Sequence, residues 1–242
     1  MEALRTAIRQ YKPSVVIETG TYMGTGSTRM IIEAFAPDAP ERFYTIEISP
    51  HFCEIARRNL SRYEFVDVLW GLSVGRSKAE EFLRSDSLLW EAERYGIEVE
   101  QPEDPVGFYL REISAGKSDA YEDECYPDLD KVAPDNLLVH LVSQYKDQRP
   151  LIVLDSAGGI GWLEFQEVLR LQEGLPFLLF LDDVKHVKHY RSRILVESSS
   201  DFRMIDCDID HGWALASYEP QPSVLHQCRQ NSNSSESSFQ QG

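Results

Sequence analysis

Three aspartates that follow two apolar segments are the residues whose type and spacing most strongly indicate chemistry. Asp155 follows the apolar run 151–154, and Asp182 and Asp183 follow the apolar run 177–181. If both runs are neighbouring parallel strands, their carboxyl ends meet at the sheet edge where ligands bind. Three carboxylates repel one another there unless they take up protons or a cation. Because oxygen ligands suit Mg²⁺ or Ca²⁺, we predict a divalent-metal site at these aspartates.

A glycine-rich segment follows the first apolar run of the chain, 14–18. It contains Gly20, Gly24 and Gly26 and leads into a helical pattern that Ser27 could cap. Glycine permits a tight turn there and lets a ligand approach the backbone closely. The spacing differs from the GxGxxG dinucleotide fingerprint, and no GK[ST] sequence follows, so a P-loop is excluded.

Two glutamates end consecutive predicted strands near this turn. Glu18 ends the first strand, and Glu47 ends the second about 29 residues later. A carboxylate in the position of Glu47 can accept hydrogen bonds from both hydroxyls of an adenosine ribose. The pair therefore favours a nucleoside-binding site over a purely structural turn.

The candidate catalytic base is His186, three residues after Asp183. Imidazole suits proton abstraction near neutral pH, although His186 could equally bind the metal. His189 lies one helical turn further on, and Lys185 and Lys188 belong to the same segment. For each of these residues the sequence leaves a surface role and a catalytic role open.

The elements that would position these residues alternate between strand and helix over the first 70 residues, which is typical of a parallel sheet with crossover helices. Further strands are predicted at 151–155 and 177–181, and a closing hairpin at 202–206 and 212–218. We predict one domain over residues 1–218, with an irregular acidic insertion at about 96–135 that could cover the site. The Ser-, Asn- and Gln-rich tail 219–242 is expected to be disordered.

Composition restricts the function classes. The formal net charge is −16, and the segment from Glu80 to Asp135 alone has 17 acidic and 5 basic residues. Such a surface repels phosphate backbones, so nucleic acid is not expected as a partner. The four cysteines form no CxxC pair, and neither a membrane span nor a signal peptide is predicted. We expect a cytoplasmic protein, and homo-oligomerisation is left open.

The segments 18–27 and 44–50 resemble the first two motifs of class I S-adenosylmethionine (SAM)-dependent methyltransferases. They are most similar to the metal-dependent small-molecule O-methyltransferases of the catechol and macrocin groups, and the resemblance covers roughly residues 14–75 and 137–218. It implies an α/β fold with a Rossmann-like, doubly wound sheet of seven strands, mostly parallel with an antiparallel C-terminal edge hairpin. The residues expected to contact SAM are Glu18, Gly20, Gly24, Gly26, Ser27, Glu47, Ser73 and Asp155.

The resemblance also implies a metal-assisted reaction. Those enzymes place an aspartate pair about 28 residues after the first metal aspartate, and here the separations from Asp155 are 27 and 28. They also carry a lysine soon after that aspartate, whereas this chain has Ser156 to Gly159. We therefore predict methyl transfer from SAM to a hydroxyl of a small molecule, a sugar or natural product, assisted by Mg²⁺, with Asp155 and His186 as catalytic residues. A cephalosporin-hydroxylase-like oxidative enzyme and a non-catalytic binding protein of the same fold are the alternatives.

Overall fold

A computed structural model of the chain describes residues 2–114, 132–156 and 159–220. Its centre is a seven-stranded sheet with the strand order β3-β2-β1-β4-β5-β7-β6. The strands are β1 (Val15–Thr19), β2 (Arg42–Glu47), β3 (Val66–Trp70), β4 (Leu151–Leu154), β5 (Phe177–Leu181), β6 (Phe202–Asp208) and β7 (Trp213–Tyr218). Strands β1 to β5 pair in parallel, and β7 runs antiparallel to both β5 and β6. The predicted mostly parallel sheet with an antiparallel C-terminal hairpin is confirmed.

Helices cover both faces of this sheet. The α-helices of the described ranges are α1 (Glu2–Tyr11), α2 (Ser27–Phe35), α3 (Pro50–Leu60), α4 (Arg76–Ser85), α5 (Leu88–Glu91), α6 (Pro105–Glu112), α7 (Leu137–Tyr145), α8 (Gly161–Leu171) and α9 (Tyr190–Ser198). Side chains from α1, α2 and α3 pack on one face with Val16 and Val153. Those from α7, α8 and α9 pack on the other with Ile17 and Ile152. Because successive strand residues point to opposite faces, the apolar runs bury both layers and produce the doubly wound arrangement.

Local sequence explains where the elements near the sheet edge begin. Helix α3 starts with Pro50 in its first turn, and the Ser49 hydroxyl accepts a hydrogen bond from the amide of Phe52 at 3.3 Å. Both features are typical of a helix N-terminus. Strands β1, β4 and β5 are buried at every position, as expected for central parallel strands.

The segment predicted as an irregular insertion contains a helix, α6, so that prediction is wrong for residues 105–112. The Asp104 carboxylate accepts a hydrogen bond from the amide of Gly107 at 3.0 Å, and Pro105 occupies the first turn. Tyr109 and Ile113 are buried against Ile160 and other apolar residues of a third core cluster. Residues 115–131 lie outside the described residues.

Strand β7 ends at Tyr218, and the amide of the next residue, Glu219, donates to the Asp201 carbonyl at 2.8 Å. The rest of the expected disordered tail, residues 221–242, lies outside the described part of the chain. Within the described ranges, none of the helices combines the length and the apolar character that crossing a membrane requires.

Candidate active site

A cavity of about 430 Å³ lies at the carboxyl edge of the sheet. Its walls come from the turns after β1, β2, β3 and β4, from the segment after β5 and from the insertion. Among the charged residues of the described lining, six carry carboxyl groups and Lys188 is the one basic residue. The lining carboxyl residues are Glu47, Glu100, Glu112, Asp155, Glu164 and Asp183. The cavity is therefore a strongly acidic pocket at the position where open α/β sheets bind ligands.

The glycine turn after β1 packs directly on the end of β4. Gly20 has φ +84°, and a Cβ atom there would lie 2.0 Å from the carbonyl oxygen of Asp155. Gly24 has φ +69°, and a Cβ atom there would lie 2.8 Å from Cδ1 of Leu60. Gly26 differs, because a Cβ atom there would have no heavy atom within 4 Å. Gly20, which lines the cavity, is thus required for the close approach of the two strand ends.

Glu47 forms part of the cavity wall beside this turn. Its two carboxylate oxygens accept hydrogen bonds from the amides of Tyr22 at 2.7 Å and Ser49 at 2.8 Å. Burial raises the pKa of Glu47 to about 7, against the lowering effect of these amides. The backbone therefore fixes the orientation of the carboxylate at the cavity wall.

Glu18 and Ser27 contact residues around the glycine turn but are not part of the cavity lining. Glu18 is fully buried, accepts a hydrogen bond from the Thr45 hydroxyl at 2.6 Å and does not line the cavity. Burial raises the pKa of Glu18 to about 8. The N-cap of α2 is Gly26 rather than Ser27, and the Ser27 hydroxyl donates to Oδ2 of Asp155 at 2.8 Å. These contacts indicate that Glu18 and Ser27 support the site structurally. They do not favour the predicted direct contact of these two residues with the cofactor.

A buried glutamate that sequence reasoning missed forms the cavity floor. Glu164, in α8, accepts hydrogen bonds from the hydroxyls of Thr19 at 3.1 Å and Ser156 at 3.0 Å, and also from Ser73. Burial raises the pKa of Glu164. Ser73, predicted to contact the cofactor, lines the cavity with its hydroxyl directed to this carboxyl group. The signal in the sequence was an acidic residue between Leu163 and Phe165 on a buried helix face.

The predicted metal ligands surround a lysine instead. The ammonium of Lys188 lies 2.7 Å from Oδ2 of Asp183 and 3.3 Å from Oδ1 of Asp155. Burial acts to lower the pKa of Lys188, but the charges of Asp155 and Asp183 outweigh burial and raise it. Of the two roles that the sequence leaves open for Lys188, the surface role does not apply, because its side chain is only 5% exposed.

Asp182, the third predicted ligand, accepts a hydrogen bond from the amide of Asp183 at 3.1 Å. Burial and the charges of Asp155 and Asp183 raise the pKa of Asp182 to about 7. Among the described residues, no group of three or more His, Cys, Asp or Glu side chains could hold a metal ion. With the Lys188 ammonium between two of the three aspartates, this arrangement does not fit the predicted divalent cation.

His186 lies beside the cavity rather than in its lining. Its Nε2 atom is 2.5 Å from the Glu100 carboxylate and 3.2 Å from the Tyr109 hydroxyl, and its Nδ1 atom accepts from the amide of Lys188 at 3.2 Å. Both ring nitrogens therefore have protein partners. Although burial acts to raise it, hydrogen bonds from His186 and Tyr109 lower the pKa of Glu100 to about 2. These contacts indicate that His186 attaches the insertion to the segment after β5. They do not favour its predicted role as the catalytic base.

Comparison with known proteins gives similarity to solved structures alone. No family model matches the chain, and no curated protein matches it. An O-methyltransferase from Bacillus cereus in complex with S-adenosylhomocysteine (SAH) is 16% identical, with a TM-score of 0.47 over 89% of this chain and 79% of that one. The O-methyltransferase TomG from Streptomyces achromogenes, involved in tomaymycin synthesis and bound to SAM, is 16% identical, with a TM-score of 0.46 over 90% and 79%.

A third match is the SAH-bound methyltransferase PaMTH1 from Podospora anserina, which is 13% identical with a TM-score of 0.46 over 90% of this chain and 76% of that one. All three proteins are of the class that the sequence motifs resemble. At these identities and TM-scores, the likeness carries no argument about activity.

Proposed function

We propose that this chain is a SAM-dependent methyltransferase that acts on a hydroxyl group of a small molecule. The observation that carries the proposal is the buried carboxylate of Glu47, which two backbone amides fix at the cavity wall beside the Gly20 turn. A carboxylate at the end of the second strand is suited to bind both hydroxyls of a ribose. The proposed roles of the remaining residues follow from their positions around the same cavity.

The cavity suits the proposed cofactor in size and in charge. A volume of about 430 Å³ lies within the usual range for small-molecule sites. When bound, SAM supplies an electrophilic methyl group on a positively charged sulfur. Its positive charge is favoured by the surplus of carboxyl groups in the lining. In this proposal the Gly20 turn holds the methionine part of the cofactor, Glu47 the ribose, and the turn that includes Ser73 the adenine.

Asp155 is the proposed proton acceptor in place of His186. It lines the cavity, and the Ser27 hydroxyl and the Lys188 ammonium fix its orientation. The acceptor oxygen bonds to the methyl carbon as the carbon–sulfur bond breaks, and the bonding pair stays on sulfur. The hydroxyl proton passes to Asp155. The expected Mg²⁺ has no part in this proposed step, because the described residues do not fit it.

The acceptor is proposed to be small because residues of the insertion form part of the cavity wall. Glu100, Glu112 and Ile113 from this segment are part of the lining. With these residues in the cavity wall, a small acceptor is favoured over a macromolecular one. The identity of the acceptor, a sugar or natural-product hydroxyl in our proposal, requires a screen of candidate alcohols with isotopically labelled SAM.

Calorimetric titration with SAM and SAH tests the proposal directly. It is best done at pH 8, above the pKa of about 7 for Glu47, so that the carboxylate is ionised. We expect one site per chain, and Glu47→Gln should weaken binding by about 10- to 100-fold, since hydrogen bonds to a charged group contribute about 1.5–3 kcal/mol. Glu54→Gln is the matched control, because Glu54 is an exposed residue of α3 paired with Arg57.

Three results would argue against this function. Wild-type protein that gives no heat with either ligand would remove the basis for a SAM enzyme. Equal binding by wild type and Glu47→Gln would remove the proposed ribose contact. Binding of SAM without methyl transfer to any alcohol would favour the non-catalytic alternative.

A further inference from the structure

The contacts of Lys188 place a fixed positive charge in the cavity. Its ammonium lies between the carboxylates of Asp155 and Asp183. These two residues follow the neighbouring strands β4 and β5. Sequence reasoning expected a divalent cation at these same carboxylates. We infer that the ammonium of Lys188 takes the place of that metal ion, so that this site orients its acceptor without a divalent cation. The inference deepens the proposed function, because it concerns the same cavity.

Distances make the two cations mutually exclusive. Mg²⁺ binds oxygen at about 2.0–2.1 Å and Ca²⁺ at about 2.3–2.6 Å. A metal bound to Oδ1 of Asp155 and Oδ2 of Asp183 would have to enter the space that the ammonium occupies at 3.3 and 2.7 Å from those atoms. The positive charge of Lys188 would also repel a dication there. The metal could bind only after Lys188 had moved away.

The backbone around Lys188 opposes such a movement. The amide of Lys188 donates to Nδ1 of His186, whose other ring nitrogen contacts Glu100. On its other side, a Cβ atom on Gly161 would lie 2.8 Å from the Lys188 carbonyl oxygen and 2.9 Å from its Cβ atom. The residue is therefore packed between α8 and the insertion, and its side chain is only 5% exposed.

The ammonium keeps a donor for a ligand. It has three N–H groups, of which Asp155 and Asp183 accept two. The third has no partner among the described residues, and Lys188 lines the cavity. This N–H group can donate to an acceptor oxygen and stabilise the negative charge that develops as the proton leaves. Stabilising such charge is one of the catalytic roles of a metal ion.

Metal titration of the purified protein tests this inference without knowledge of the acceptor. We expect wild-type protein to give no saturable heat with MgCl₂ and the same melting temperature in EDTA as in Mg²⁺. In Lys188→Ala, and in Lys188→Met if the alanine variant does not fold, the carboxylates lose their counter-charge. These variants should give saturable heat with MgCl₂, at an affinity at least on the order of tenfold above the detection limit that wild type does not reach, with a rise in melting temperature on adding the metal.

Lys185→Ala is the matched control, because Lys185 belongs to the same segment but is 41% exposed and pairs with Glu98. It should behave as wild type does. Stoichiometric Mg²⁺ binding by wild type that is lost in Asp155→Asn would overturn the inference. So would Lys188 variants that remain as indifferent to Mg²⁺ as wild type. The SAM titration is scored separately, so failure of the proposed function and failure of this inference are distinguishable.

Discussion

At the scale of single residues, the site depends on a backbone contact at Gly20 that leaves no space for a side chain. Gly20 places its Cα hydrogen against the backbone of Asp155, and the amide of Gly20 donates to the Ile46 carbonyl at 3.0 Å. The turn after β1 therefore joins the ends of β2 and β4. Since Asp155 is the proposed proton acceptor, the geometry of that carboxylate depends on this glycine.

We predict that Gly20→Ala destabilises the protein by roughly 2–4 kcal/mol, because the new methyl group meets the Asp155 carbonyl at 2.0 Å and the residue has φ +84°. Urea denaturation followed by circular dichroism measures the change. Gly26→Ala is the control, since no heavy atom lies within 4 Å of its added methyl group, and it should change stability by less than about 1 kcal/mol. Equal effects of the two substitutions would refute the packing argument.

The difference between what the sequence predicts and what it misses is clear at this scale. Gly20, Glu47 and Asp155 could be placed at the cavity because each directly follows or ends an apolar strand, and strand ends meet at one edge. Lys188 and Glu164 could not, since their burial depends on how the segment after β5 and helix α8 pack. A charged residue in an amphipathic pattern is normally exposed, so periodicity alone directs the prediction to solvent.

At the scale of elements, the insertion is attached to the sheet edge by a backbone bridge and a side-chain cluster. The amide of Glu98 donates to the Lys185 carbonyl at 3.1 Å, and the amide of Val187 donates to the Glu98 carbonyl at 2.9 Å. Glu100, His186 and Tyr109 meet immediately beside this bridge. Neither the bridge nor the cluster could be predicted from the sequence of 96–135. Its composition is irregular, and a single bridge produces no periodic pattern in sequence.

We predict that Glu100→Ala loosens residues 97–113, since it leaves His186 and Tyr109 without their shared acceptor. Amides in this segment should exchange with solvent about tenfold faster, as measured by hydrogen–deuterium exchange and mass spectrometry. Glu98→Ala removes an exposed carboxylate two residues away and should leave exchange unchanged. Faster exchange in both variants, or in neither, would show that the cluster does not hold the insertion.

Acid should loosen the same segment in the wild-type protein. The pKa of Glu100 is about 2 in the folded state, below its ordinary value of 4.5. A lowered carboxyl pKa stabilises the folded state above pH 4.5, and that contribution is lost as the pH falls toward 2. Exchange of residues 97–113 should therefore rise between pH 4.5 and 2, after correction for intrinsic rates. An unchanged protection factor over this range would contradict the assignment.

At the scale of the whole molecule, the chain has an excess of acidic residues, and several of its carboxyl groups are buried. The formal net charge is −16, and buried carboxyl groups lie both in the cavity wall and behind the glycine turn. Burial raises the pKa of Glu18 to about 8 and of Glu47 to about 7, and burial with neighbouring aspartates raises that of Asp182 to about 7. The folded chain therefore holds protons near neutral pH that the unfolded chain releases.

This linkage predicts that stability falls as the pH rises from 6.5 to 8. A carboxyl pKa raised above 4.5 contributes stability that is complete below 4.5 and is lost as the pH rises through the folded value. His189 acts in the opposite direction only below its ordinary value of 6.5, because burial lowers its pKa. Above pH 6.5 the raised carboxyl groups dominate, and each contributes a slope of up to about 1.4 kcal/mol per pH unit.

Urea denaturation at several pH values between 6.5 and 8, for wild type and Glu18→Gln, measures this slope. The amide mimics the protonated carboxyl group that the fold prefers, so Glu18→Gln should flatten the decline in unfolding free energy and be more stable relative to wild type at pH 8 than at pH 6.5. Glu33→Gln, an exposed residue paired with Arg29, should keep the wild-type slope. A Glu18→Gln variant with an undiminished slope would mean that Glu18 is already ionised within the fold, with its buried charge balanced by surrounding dipoles.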